Sequence, residues 1–155
     1  MKKETLINKQ SIHLINEAWR WKGVKALAIV ESNEFGNIIF FDEKKAFYRI
    51  CPEELSLEKI SDSPQNFEKL RKGKDFRMDW EMTNLVEMAR DQVGTLSEKE
   101  KYCFKIPAVL GGEYSSENLG KIKFDEQIRV SGDLAKQIRD MKDGQKIKFE
   151  IKNRR

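Results

Sequence analysis

The sequence predicts an α+β fold, one domain in which an antiparallel or mixed β-sheet is covered by helices. Three observations predict it. Between Val24 and Ile50, short apolar runs rich in β-branched and aromatic residues alternate with turn residues, which is how sequential antiparallel strands read and how a doubly wound parallel sheet does not. Asp79 to Val93 carries Trp80, Met82, Leu85, Val86, Met88, Ala89 and Val93 at helical spacing. In Lys101–Pro107, Tyr102, Phe104 and Ile106 stand two apart, as one face of a strand, with Cys103 and Lys105 on the other face and a proline to end it. The chain has 155 residues, the size of one ordinary domain, so 1–155 is read as a single unit whose segments 1–10 and 152–155 fray.

In order along the chain, the apolar positions between Leu6 and Arg20 are broadly helical, and the second half of that stretch is expected as helix. Trp19 and Trp21 should anchor the core where Gly23 caps the end. Ala26–Val30, Asn37–Phe41 and Ala46–Ile50 are expected as an antiparallel meander closed by Pro52. Ser61-Asp-Ser-Pro64 carries the cap and the N1 proline of a helix whose buried face is Phe67 and Leu70. The charged stretch Arg71 to Asp79, with Gly73, is expected as an exposed connection. One helix then runs from Asp79 to Gly94, with Asp79 and Glu81 favouring the dipole from its first turn.

After the Tyr102 strand, Gly111-Gly112 should turn the chain, one of them at positive φ, ahead of the polar run Glu113–Asn118. Lys121–Phe124 and Gln127–Val130 alternate and are expected as strands, and Ser131 as the cap of a helix from Gly132 to Met141. Asp143-Gly144 would lead into a final strand, Lys146–Ile151. Trp19, Leu85, Phe104 and Phe149 are the expected core anchors.

Composition narrows the class. Thirty Lys and Arg against 26 Asp and Glu give a net charge of +4, yet 36% of residues are charged and the signs alternate closely, as on a solvated surface. The most basic clusters, Lys69–Lys74 and Lys152–Arg155, lack interleaved aromatics on which bases could stack, so nucleic acid is the second-choice partner. Cys51 and Cys103 fit neither a disulfide framework nor a zinc site, and a reduced, cytoplasmic setting is expected, without signal peptide or membrane span.

The chemistry expected of an enzyme is missing. The sequence has no nucleophile elbow, glycine-rich phosphate loop or HExxH, and a single histidine, His13, read as a surface helix residue. Consecutive acids such as Glu53-Glu54 and Asp125-Glu126 make poor catalytic dyads, because neighbours on a strand point to opposite faces. No catalytic residue, metal ligand or cofactor is assigned.

Tyr102-x-Phe104-x-Ile106-Pro107-x-x-Leu110-Gly111-Gly112-x-Tyr114-x-x-Glu117-Asn118-Leu119, followed by Ser131-Gly132 to Gln137-Ile138 and Asp143-Gly144-x-x-Ile147, resembles a bacterial family. The family is the C-terminal domain of the immunity protein that protects cells from a type VI secretion DNase effector. Phe35-Gly36-Asn37-Ile38 and Trp19-x-Trp21-x-Gly23 resemble its hairpin and entry helix. The resemblance implies a non-catalytic protein that binds and neutralises a toxin effector, a nuclease among the candidates. Glu113, Tyr114, Glu117 and Asn118 are the candidate contact residues, since a glycine turn should project them. The competing reading is that Glu117 and Asn118 hydrogen-bond the turn itself.

Overall fold

The computed structural model describes residues 3–141, and the side chains of 8–141. The expected strand Lys146–Ile151, its core residue Phe149, the Asp143-Gly144 turn and the Lys152–Arg155 cluster lie outside the described residues.

β2 (Ile38–Phe41) shows why the meander forms, because its side chains are buried on both faces. Ile38 and Phe40 enter one apolar cluster and Ile39 another, the period-two alternation of a central strand. β1 (Ala28–Ser32) and β3 (Phe47–Cys51) flank it antiparallel, with Ile39 opposite Arg49 and Phe40 opposite Tyr48. A fourth strand, β4 (Ser56–Ser61), then pairs with β3 in the order β1-β2-β3-β4. The sequence reading closed the meander at Pro52, but Pro52–Glu54 is a single tight helical turn and Leu55, at φ 48°, redirects the chain back along β3.

Helices cover both faces of this sheet. α1 (Lys3–Ala18) and α5 (Phe124–Ile138) place Ile15, Ile128, Leu134 and Ala135 on the Ile38 face, together with Trp19. Gly23 closes the turn after Trp19 at φ 75°, as expected. The α1–α5 crossing is close, since a Cβ on Gly132 would lie 2.6 Å from both the Cβ and the carbonyl oxygen of Ala18. On the Ile39 face lie α2 (Pro64–Lys72) and α3 (Lys74–Glu81), which bring in Phe67 and Trp80. Ser63 caps α2 by accepting from the Asn66 amide at 3.1 Å.

α4 (Thr83–Val93) packs against a separate two-stranded sheet, β5 (Glu100–Phe104) with β6 (Leu119–Lys123), burying Val86 and Ala89 with Tyr102, Phe104 and Leu119. Phe35, at the tip of the β1–β2 hairpin, completes that cluster, and the Tyr102 amide donates to the Glu34 carbonyl at 2.8 Å. The two sheets are thereby tied together.

Several expectations are corrected. Arg71 to Asp79 is not a connection: Gly73 ends α2 and begins α3. The stripe from Asp79 to Val93 is broken at Met82, which sits at φ 48° in the left-handed region, so Trp80 turns to one cluster while Val86 and Ala89 turn to another. Asp79 and Glu81 consequently lie in the last turn of α3 instead of the first turn of a long helix, and Leu85 is only half-buried. Gln127–Val130 is helix and Ser131 does not cap, because α5 runs unbroken through both and the Ser131 hydroxyl donates to the Ile128 carbonyl at 3.2 Å. Ile106 is exposed, since β5 has already ended at Phe104.

Candidate functional site

The elbow at Met82, the tight turn Pro52–Glu54 and the loop after β5 enclose a cleft of about 520 Å³. Phe35, Phe104, Met82 and Leu85 supply its apolar lining, and its charged lining residues are four acids, Glu53, Glu54, Asp79 and Glu81, against one base, Arg49. A chain of net charge +4 thus carries a locally acidic concavity.

The acids are held by a buried network. Asn37, fully buried beside Gly36 at φ 73°, accepts from Arg49 Nε and a terminal nitrogen of the same guanidinium at 3.1 and 3.0 Å. The other guanidinium nitrogen reaches Asp79 Oδ2 at 2.6 Å, and the group lies over the Trp80 ring at 5.2 Å. Arg49 therefore pins α3 to the sheet. Asn37 Nδ2 donates to both carboxylate oxygens of Glu53, at 3.2 and 3.0 Å. Glu53 is only 9% exposed, and burial pushes its carboxyl above the ordinary glutamate value despite that hydrogen bond and the field of Arg49. Burial likewise drives the neighbouring Cys51 thiol up to about 12, which leaves it unreactive at neutral pH.

The four contact residues expected from the sequence divide into two kinds. Tyr114 stands at the rim of the cleft, 56% exposed, its ring edge-on to Phe104 at 4.9 Å and its hydroxyl donating to Glu54 Oε1 at 3.2 Å. Glu113 and Glu117 are exposed beside it. Asn118 is turned inward: its oxygen accepts from the Ile106 amide at 2.8 Å and its nitrogen donates to the carbonyls of Ile106 and Glu113, both at 2.9 Å. It staples the loop that presents Tyr114, as the competing reading held for Asn118, whereas Glu117, which that reading also assigned to the turn, is exposed. Gly111, at φ 93°, makes the turn.

None of Asn37, Arg49, Glu53 and Asp79 was assigned to a site from the sequence: Asn37 entered only as the start of a strand and in the hairpin resemblance, Glu53 only as half of a rejected dyad and Asp79 only as a helix-dipole acid. Their spacing follows no motif; only the strand register that sets Ile38 opposite Ile50 and the elbow at Met82 bring them together. The basic cluster at Lys69–Lys74 is partly committed to structure, with Arg71 paired to Glu31 and Glu68, both at 3.2 Å, and lying over the Phe67 ring. Among the described residues no group of His, Cys, Asp and Glu could hold a metal ion, and no helix is long and apolar enough to cross a membrane.

Residues 61–135 match the model of a family described as T6SS immunity protein Tdi1, C-terminal. The chain resembles that family across α2, α3, α4, β5, β6 and most of α5. The matched stretch contains the Met82 elbow and the Tyr114 loop, one wall and the rim of the cleft, while Arg49, Glu53 and Glu54 lie before it. Among solved structures, the crystal structure of Atu4351 from Agrobacterium tumefaciens aligns with a TM-score of 0.54 at 15% identity, over 81% of this chain. This chain spans 63% of the length of that one, and the likeness bears out the α+β fold. No curated protein matches the chain.

Proposed function

We propose that this protein is an immunity protein of an interbacterial type VI secretion system, acting in the cytoplasm, which binds a cognate toxin effector and occludes it without catalysis of its own. The family match over 61–135 carries the reading. A concave face with a half-exposed tyrosine at its rim supports it, since buried interface hot spots centre on aromatic side chains seated in or beside pockets. Glu113, Tyr114 and Glu117 are the residues assigned to the contact, with Asn118 holding the loop in place.

The test is to look for a secreted effector encoded in a neighbouring gene and to co-express the two. Growth should be rescued, and the purified pair should form a tight complex. Replacing Tyr114 and Glu117 together with Ala should weaken that complex by about 2 kcal/mol or more if either is a hot spot. The melting temperature should change little, because both side chains are exposed. An unaltered protein that neither binds nor protects would overturn the reading.

A further inference from the structure

Glu53 is a buried carboxylate without a counter-ion. Among the described residues no lysine or arginine pairs with it, and the cation whose field it feels, Arg49, has its guanidinium bonded to Asn37 and Asp79. Its oxygens accept from the amide nitrogen of Asn37 and from the backbone amide of Glu53 itself, both neutral donors, which leaves part of the carboxylate's acceptor capacity unused and its charge uncompensated by a paired cation in a place shielded from water. A desolvated charge held this way is costly to the free protein, and a cation arriving from outside would find it already stripped of solvent and aimed. Glu54 is exposed one residue on, and Asp79 and Glu81 face the same cleft from α3. At its edge stand two large apolar side chains open to solvent, Met78 at 63% and Tyr114 at 56%.

We propose that this cleft is the receptor for an arginine side chain presented by a protein partner, with Glu53 and Glu54 as its carboxylate acceptors and Tyr114 and Met78 flanking its aliphatic stem. Arginine fits better than lysine, because a planar fork can engage two carboxylates while its weakly hydrated face lies against aromatic and thioether groups. That the partner is the toxin rests on the immunity reading; the chemistry of the cleft does not. For a partner that degrades nucleic acid, an arginine seated here would be one withdrawn from phosphate.

Two measurements separate the claims. Acetyl-arginine methylamide, titrated into the protein and followed by backbone amide NMR, should give saturable shifts confined to residues 51–54, 78–83 and 114. The lysine analogue should give weaker ones and the glutamate analogue none. Glu53→Gln and Glu54→Gln together should abolish the response, while Glu87→Gln, on the far side of α4's exposed surface, should leave it intact. Shifts spread over the whole surface, or an unchanged response in the double variant, would overturn the proposal. With the toxin, the same double variant should bind at least about tenfold more weakly, as loss of a buried charged partner predicts. A toxin bound as tightly by the double variant as by the unaltered protein removes the cleft and leaves the immunity reading standing. A toxin that does not bind the unaltered protein removes that reading, and the arginine titration then decides the cleft alone.

Discussion

At the scale of the residue, Glu53 sets up a trade between stability and binding. Its carboxyl titrates above the ordinary glutamate value in the folded protein, chiefly through burial, so the folded state holds that proton to higher pH than the unfolded chain does. Stability from this group is therefore greatest below the unfolded value and falls as pH rises through the folded one. Glu53→Gln, which keeps the shape and can still meet Asn37, should raise the melting temperature at pH 7, and its advantage should shrink as pH is lowered towards 4. Thermal melts of the two proteins across that range check it; Glu54 and Asp79 remain in both, and the Cys51 thiol stays neutral throughout. The adjacent glycines of the Tyr114 loop act for different reasons. Gly111→Ala meets no neighbour but must hold φ 93°, and should cost about 1 kcal/mol. A Cβ on Gly112 would lie 1.8 Å from the Ile106 carbonyl oxygen, so Gly112→Ala should cost more, roughly 1–3 kcal/mol, in urea unfolding.

At the scale of the element, the crossing of α1 and α5 depends on Gly132 inside a helix, where alanine would by itself be preferred by about 1 kcal/mol. The clash with Ala18 outweighs that preference, because the obstructing atoms belong to the other helix's backbone and Cβ. Gly132→Ala should lower the urea midpoint, and a raised midpoint would mean that the helices are free to separate. The same glycine explains one misreading. Gln127-Ile-Arg-Val130 alternates over four residues, too short a window to tell strand from helix, and Ser131-Gly132 looks like a boundary unless the facing helix is known. β4 was hidden because Glu58 and Lys59 interrupt its apolar positions at the edge of the sheet. The elbow at Met82 was hidden because a residue in the left-handed region need not be glycine when tertiary packing holds it there. The meander, the capped α2 and the Tyr102 strand were legible for the opposite reason: their turns, caps and alternation are local. The cleft assembles Asn37, Arg49, Glu53 and Asp79 from register and an elbow, neither of which leaves a pattern in the chain.

At the scale of the molecule, three apolar clusters lie side by side, with β2 feeding two of them and Phe35 the third. If they are one cooperative unit, Trp19 and Trp21 in the first and Trp80 in the third should report the same unfolding midpoint by fluorescence as the backbone does by circular dichroism. Phe104→Ala, in the second cluster, should cost about 3 kcal/mol or more and shift both signals together. Separate midpoints would divide the chain into independently folding parts.

The packing of α1 against α5 also bears on synthesis. Trp21 donates its indole hydrogen to the Gly132 carbonyl, 111 residues further on, and the Ile38 face of the sheet has no complete cover until α5 arrives. At ordinary translation rates of about 5–20 residues per second, that separation is roughly 5–20 s of elongation. Nascent chains stalled before Phe124 should accordingly be digested by protease where the released chain resists. If the protein acts as proposed, such a chain cannot be improvised when a toxin enters; the cell would have to hold it in stock.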